Sequence, residues 1–231
     1  MTFSSPAGRT AASGVHDEPP ESPGRFGLLL LLLIVNYLLS AFSIRKLADP
    51  LQVVLFAAVM LLALRNSPLT RRQLRIAVAV VLTGSLAALA AALTGTQAGY
   101  GWAEIWKALI LLVSAILIVR RVLARPTVTI QSIYGALSAY MIVGLMFAAC
   151  YAALQLLGTA PFFVHGESAS PQTFQYFSFT TLTTLGYGDF TAAGDGGRAI
   201  ATLEALVGQV FLATLVARLV AAFRAPGERD R

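Results

Sequence analysis

The chain runs to 231 residues, of which 57% are apolar and only 12% charged. Soluble globular domains carry about 25% charged and 45–50% apolar residues, so too little polar surface is left to cover a soluble particle; a disordered chain is excluded and a cytosolic enzyme argued against. The net charge of +6 falls mostly between long apolar runs, which ties it to membrane topology and not to nucleic acid.

Residues 1–25 are rich in Ser, Pro, Gly and Glu without an apolar period and read as a disordered tail. A hydrocarbon core of ~30 Å needs about 20 helical residues. On that measure the sequence predicts spans over 26–44, 50–64, 76–93, 102–124, 130–157 and 199–223. The second is short, and Arg45, Lys46 and Asp49 before it snorkel to the interface. The third carries the small residues Gly84 and Ser85, which allow close helix contact. Trp102 and Trp106 anchor the fourth at an interface. Cys150, the single cysteine, lies in the fifth and has no intrachain partner for a disulfide.

A cytoplasmic N-terminus puts most of the 17 Lys and Arg on one side, including Arg71, Arg72 and Arg75, then Arg120, Arg121 and Arg125. Arg45, Lys46, Lys107 and Arg198 fall on the other. The positive-inside rule therefore predicts that both termini are cytoplasmic. With only 225–231 beyond the last span, no cytoplasmic ligand domain is expected.

Between the last two spans lies a segment, 158–198, too long for a turn and too apolar for a soluble loop. Ser170 followed by Pro171 is a helix start: a hydroxyl cap, then proline at the first helical position. A helix over 171–183 measures ~20 Å at 1.5 Å per residue, about half a bilayer. The chain must then re-enter and return, which irregular backbone tolerates only inside protein or against water. Next comes Thr184-Leu185-Gly186-Tyr187-Gly188-Asp189. Two glycines reach positive φ cheaply, so successive carbonyls can face one way. Such a ladder of uncharged oxygens, with the Thr184 hydroxyl, suits a large monovalent cation that must bind and leave.

This segment resembles the selectivity filter of tetrameric potassium channels, and the resemblance extends over 131–223. Gly197-Arg198 resembles the start of that family's inner helix, and Gly208 stands where the family has a hinge glycine. The resemblance implies an all-α membrane protein: six transmembrane helices with a re-entrant pore helix and selectivity-filter loop, forming a tetrameric channel pore. It divides the chain into a tail (1–25), a sensor-like four-helix membrane domain (26–126), a pore domain (127–224) and a short cytoplasmic tail (225–231). It implies K+ held by backbone oxygens of Thr184, Leu185, Gly186 and Tyr187, with Gly188 completing the loop. The Leu185 and Tyr187 side chains are expected to pack against Phe174, Tyr176, Phe177 and Phe179. Asp189 is expected behind the outer mouth, bonded to pore-helix groups. Thr180 occupies the position where some members carry a glutamate, so that carboxylate pair is absent.

Glu204 is an acid in a spanning helix, which is costly and by default functional. The second reading is structural: a partner for pore-helix hydroxyls such as Thr180 or Thr181. Gln209, Leu212 and Val216, at i, i+3 and i+7, form the expected cavity face. Gln209 either lines the cavity or bonds between helices; Gly208 is either a hinge or a close-packing site. His16 and His165 are too separated to suggest a metal site.

The fourth span lacks the regular arginines of a voltage sensor: its centre, 108–119, is uncharged. Little intrinsic voltage dependence is therefore expected. The expected function is passive, potassium-selective conduction across the cell membrane by a homotetramer in lipid, with no enzymatic activity, no cofactor besides the permeant K+ and no nucleic-acid partner. Two alternatives stand beside it. One is a non-selective monovalent cation channel, which Tyr187 argues against. The other is a non-conducting scaffold or transporter in which the loop is a plug; the sequence holds no second copy of the loop, as transporter repeats would supply.

Overall fold

In a computed structural model of the protein the described residues are 26–41, 71–124, 128–166 and 169–224. The expected tails at 1–25 and 225–231, the span over 50–64, and Arg45 and Lys46 lie outside them. The described residues form six helices and no named strand: α1 (Phe26–Ala41), α2 (Arg71–Leu93), α3 (Gln97–Ala124), α4 (Ile130–Leu157), α5 (Pro171–Leu182) and α6 (Asp195–Arg224). Three of them, α3, α4 and α6, are long and apolar enough to cross a membrane; α1 and the 75–87 part of α2 are shorter apolar helices.

Several boundaries differ from the apolar runs. Helix α2 begins at Arg71 and α3 at Gln97, and α6 begins at Asp195, each a few residues before the expected span. Backbone hydrogen bonding, unlike hydropathy, continues through polar residues. Asp195 in the first turn of α6 also suits the positive end of the helix dipole. At α4 the hydroxyl of Thr129 accepts from the amide of Ser132, a cap worth about 1 kcal/mol.

Helix α4 is the hub, packed against α1, α3, α5 and α6. In its most apolar stretch 61% of residues are buried, against only 11% in that of α6. One core joins Phe26, Leu29 and Leu33 of α1, Leu111, Ala115, Ile118 and Val122 of α3, and Ala136, Ala139 and Ile142 of α4. Their three- and four-residue spacings put each set on one helix face. Lipid is as apolar as leucine, so this contact is held by close van der Waals packing, which small residues permit. Gly135 shows the fit: a β-carbon there would lie 2.8 Å from Val122. An apolar cavity of about 420 Å³ separates Val122 and Leu123 of α3 from Val210 and Phe211 of α6.

Candidate functional site

The site begins with the α5 helix, and its start is local chemistry. The Ser170 side chain accepts from the Thr173 amide at 3.2 Å, and Pro171 occupies the first turn. Phe174 and Phe177, three residues apart, face a second core with Tyr151, Phe162 and Phe163. The Tyr151 and Phe177 rings meet edge-on at 5.0 Å, and Phe163 stacks on Phe174 at 5.4 Å. Outside the helix, an isolated antiparallel bridge joins Phe163 to Ala192. Val164 donates to the Thr191 carbonyl at 3.0 Å, and Ala193 to the Phe162 carbonyl at 2.8 Å. The loops before and after the TLGYG segment are thus clamped together.

At the other end of α5 the final carbonyls, which a helix leaves unpaired, are all met. Phe179 accepts from the Thr183 amide at 3.1 Å and Thr181 from the Thr184 amide at 2.9 Å. Thr180 accepts from both Leu185 and Gly186, at 2.8 and 3.1 Å. The Leu182 carbonyl accepts from the Tyr140 hydroxyl at 3.1 Å. The chain beyond therefore leaves the helix in one fixed direction.

Its conformation then alternates. Thr184, Gly186 and Gly188 have φ of +58°, +52° and +80°, whereas no positive φ occurs at Leu185 or Tyr187. Alternation of positive and negative φ lets successive carbonyls turn to the same side, which an ordinary strand does not do. The sequence pointed to the two glycines; Thr184 is the addition. A β-branched residue at positive φ is strained, by an order of 1–3 kcal/mol, and such strain gathers at functional sites. Nothing lies within 4 Å of a β-carbon built on Gly186 or Gly188, so backbone conformation and not space requires glycine there.

Around the loop the expected residues divide. The Gln209 amide donates to the Thr184 hydroxyl at 3.0 Å, a bond from α6 to the loop and not to a neighbouring helix. Leu212 and Val216, on the same helix, are exposed within the chain. Gly208 is packed hard: a β-carbon there would sit 2.2 Å from the Leu182 carbonyl oxygen, and α6 runs unbroken through it, so close packing is the reading the geometry favours. The Asp189 carboxylate faces the Tyr176 phenol of α5 and accepts from the Phe190 amide at 3.2 Å.

Glu204 takes its structural reading, a bond to a hydroxyl of α5, but the hydroxyl is that of Ser178 and not of Thr180 or Thr181. Its carboxyl lies 2.5 Å from the hydroxyls of both Tyr151 and Ser178, because Ser178 is on the buried face of α5. The Thr180 hydroxyl instead donates to the Phe177 carbonyl within its own helix at 3.0 Å. Within the single chain Leu185 and Tyr187 do not reach the α5 aromatics; they are 54% and 68% exposed. Phe174 and Phe177 are already occupied by Phe162, Phe163 and Tyr151, and Phe179 by Tyr37 at 4.9 Å.

A sequence profile of the family described as "Ion channel" matches residues 135–225, which hold α5, the alternating loop and α6. The chain is also 38% identical over 106 residues to "Protein LctB" of Bacillus caldotenax, covering 43% of this chain and 78% of that protein. No solved structure matches significantly. The chain belongs to this ion-channel family. It is the family of two-helix pores of potassium-channel type that the TLGYGD segment resembles.

Three residues of the channel escaped the sequence: Tyr151, Ser178 and Gly144. The first two lie 53 and 26 positions from Glu204. The only signal that reached them was the acid itself, since a carboxyl inside an apolar helix requires hydroxyl or cationic company.

Proposed function

We propose that this protein is a potassium-selective channel and that four copies surround one axis. The observation that carries this reading is the alternation of φ from Thr184 to Gly188, the backbone pattern that a ladder of same-facing oxygens requires. A single ladder cannot replace the full water shell of an ion; a ring of four does. Residues 183–189 are exposed in the single chain, as are Leu203, Leu206 and Val210 of α6, surfaces that three neighbours would cover. On this reading α5 is a re-entrant pore helix between an outer (α4) and an inner (α6) helix in the cell membrane. Residues 26–126 form a four-helix membrane domain packed against α4, the chain crosses the membrane six times, and both termini are cytoplasmic.

The conducting oxygens are those of Thr184, Leu185, Gly186 and Tyr187, and K+ is the cargo. The dipoles of α5 end beside the loop and favour a cation there. The test is reconstitution into liposomes with a K+ gradient. Barium-blockable rubidium uptake, with a reversal potential that follows K+ in mixed K+ and Na+, is the expected result. A reversal potential midway between the two ions would assign a non-selective cation channel. Absence of flux from a folded tetramer would leave the loop as a plug.

A further inference from the structure

The carboxyl of Glu204 is the most deeply buried acid described, 0% exposed, and its surroundings can be counted proton by proton. Its Oε2 meets the Tyr151 hydroxyl at 2.5 Å. Its Oε1 meets the Ser178 hydroxyl at 2.5 Å. That same Ser178 oxygen lies 2.6 Å from the Gly144 carbonyl oxygen. Ser178 and Tyr151 are also 0% exposed. There are three oxygen–oxygen contacts. Serine and tyrosine supply one hydrogen each, and a carbonyl and an ionised carboxylate supply none. An ionised Glu204 would leave three contacts sharing two hydrogens, with one pair of bare oxygens pressed together at hydrogen-bond distance.

We propose that Glu204 is a neutral carboxylic acid and a positioning residue: its proton completes a chain from Glu204 Oε1 to Ser178, and from Ser178 to the Gly144 carbonyl, while Tyr151 donates to Oε2. The chain ties α6 to α5 and α5 to α4 at one buried point, one turn from where Gly208 meets the Leu182 carbonyl. Charge agrees. The titratable groups facing Glu204 are Tyr151, Tyr140 and Cys150, all from α4, and α5 contributes only Ser178. None is a cation. Arg198, the basic residue nearest on α6, donates to the Ala192 carbonyl at 3.0 Å, and Lys107 pairs with Glu104. A bare carboxylate at membrane depth without a cation is costly; a neutral acid with every hydrogen placed is not.

Removal of the proton must break one link, either α5 to α4 or α5 to α6. The alternating loop hangs from α5, so ion flux is expected to fall at alkaline pH. E204Q is the informative substitution, because its amide donates where the acid proton did and its oxygen still accepts from Tyr151, at any pH. The inference rests on the channel family but not on which ion passes.

The experiment is infrared difference spectroscopy on the full-length protein in liposomes, with flux measured on the same preparation. The wild type is expected to show the carbonyl stretch of a hydrogen-bonded carboxylic acid at neutral pH, missing in E204Q. It is also expected to lose flux as pH rises, with that alkaline loss abolished in E204Q. S178A strips the acid proton of its acceptor and is expected to move the band to higher frequency. An ionised Glu204 at neutral pH, or a band that S178A leaves in place, would overturn the protonated chain. Identical alkaline profiles in wild type and E204Q would overturn the positioning role. The spectroscopic arm reads the acid whether or not K+ is selected, so it fails independently of the potassium reading.

Discussion

Gly186 and Thr184 show how differently two residues reach one backbone conformation. Both sit at positive φ, but glycine does so without cost and threonine against its own β-branch. The surrounding bonds hold Thr184 there: its amide to Thr181 and its hydroxyl oxygen to Gln209. A G186A chain gains strain of about 1 kcal/mol or more although its methyl group has open space. The expected outcome is a protein that folds and inserts but passes no rubidium, checked by tracer uptake beside thermal unfolding in detergent. Equal flux from the variant would mean that the carbonyl alternation is not what conducts. The pair was half legible in the sequence: the glycines announced themselves, whereas the threonine was turned by partners on α5 and α6.

Among the helices, α5 and α6 also meet tightly one turn beyond Glu204. The Leu182 carbonyl receives the Tyr140 hydroxyl on one side and the Cα face of Gly208 on the other. A methyl group at Gly208 would meet an oxygen that cannot move without breaking its bond to Tyr140. Overpacking of this kind costs about 1–3 kcal/mol. G208A is therefore expected to lower the thermal midpoint and to displace α6 from α5, with loss of flux. A midpoint within a degree or two of wild type would show that α6 shifts freely and would restore the hinge reading. The Ser170-Pro171 start of α5 was legible because a cap depends on neighbours in sequence. The Gly208 contact was legible only as a small residue, because its reason lies 26 positions away in the chain.

At the scale of the molecule, α4 is the hub and α6 the exposed flank. Buried share falls from 61% to 11% between their most apolar stretches. In water such a flank would invite aggregation; in a membrane it meets lipid or other copies of the chain. Helix α3, which packs against α4, has no charge between Lys107 and Arg120. Moving one charge across the membrane yields about 2.3 kcal/mol per 100 mV, so an uncharged centre gives the field little to pull on. Conductance in planar bilayers is accordingly expected to change little between strongly negative and strongly positive potentials. A steep rise with depolarisation would place a sensor in residues other than α3.

The amino-acid order by itself determined the membrane class, the capped half-length helix and the glycine-punctuated loop after it, and through these the family. Each depends on composition or on residues within a few positions of one another, where backbone propensity and hydropathy act directly. The tertiary structure alone decided what surrounds Glu204, why residue 208 must be glycine, and that Leu185 and Tyr187 find no cover within their own chain. Those outcomes depend on which helix faces meet, and packing of distant segments sets them, with Tyr151, Ser178 and Gly144 brought to one acid from two other helices.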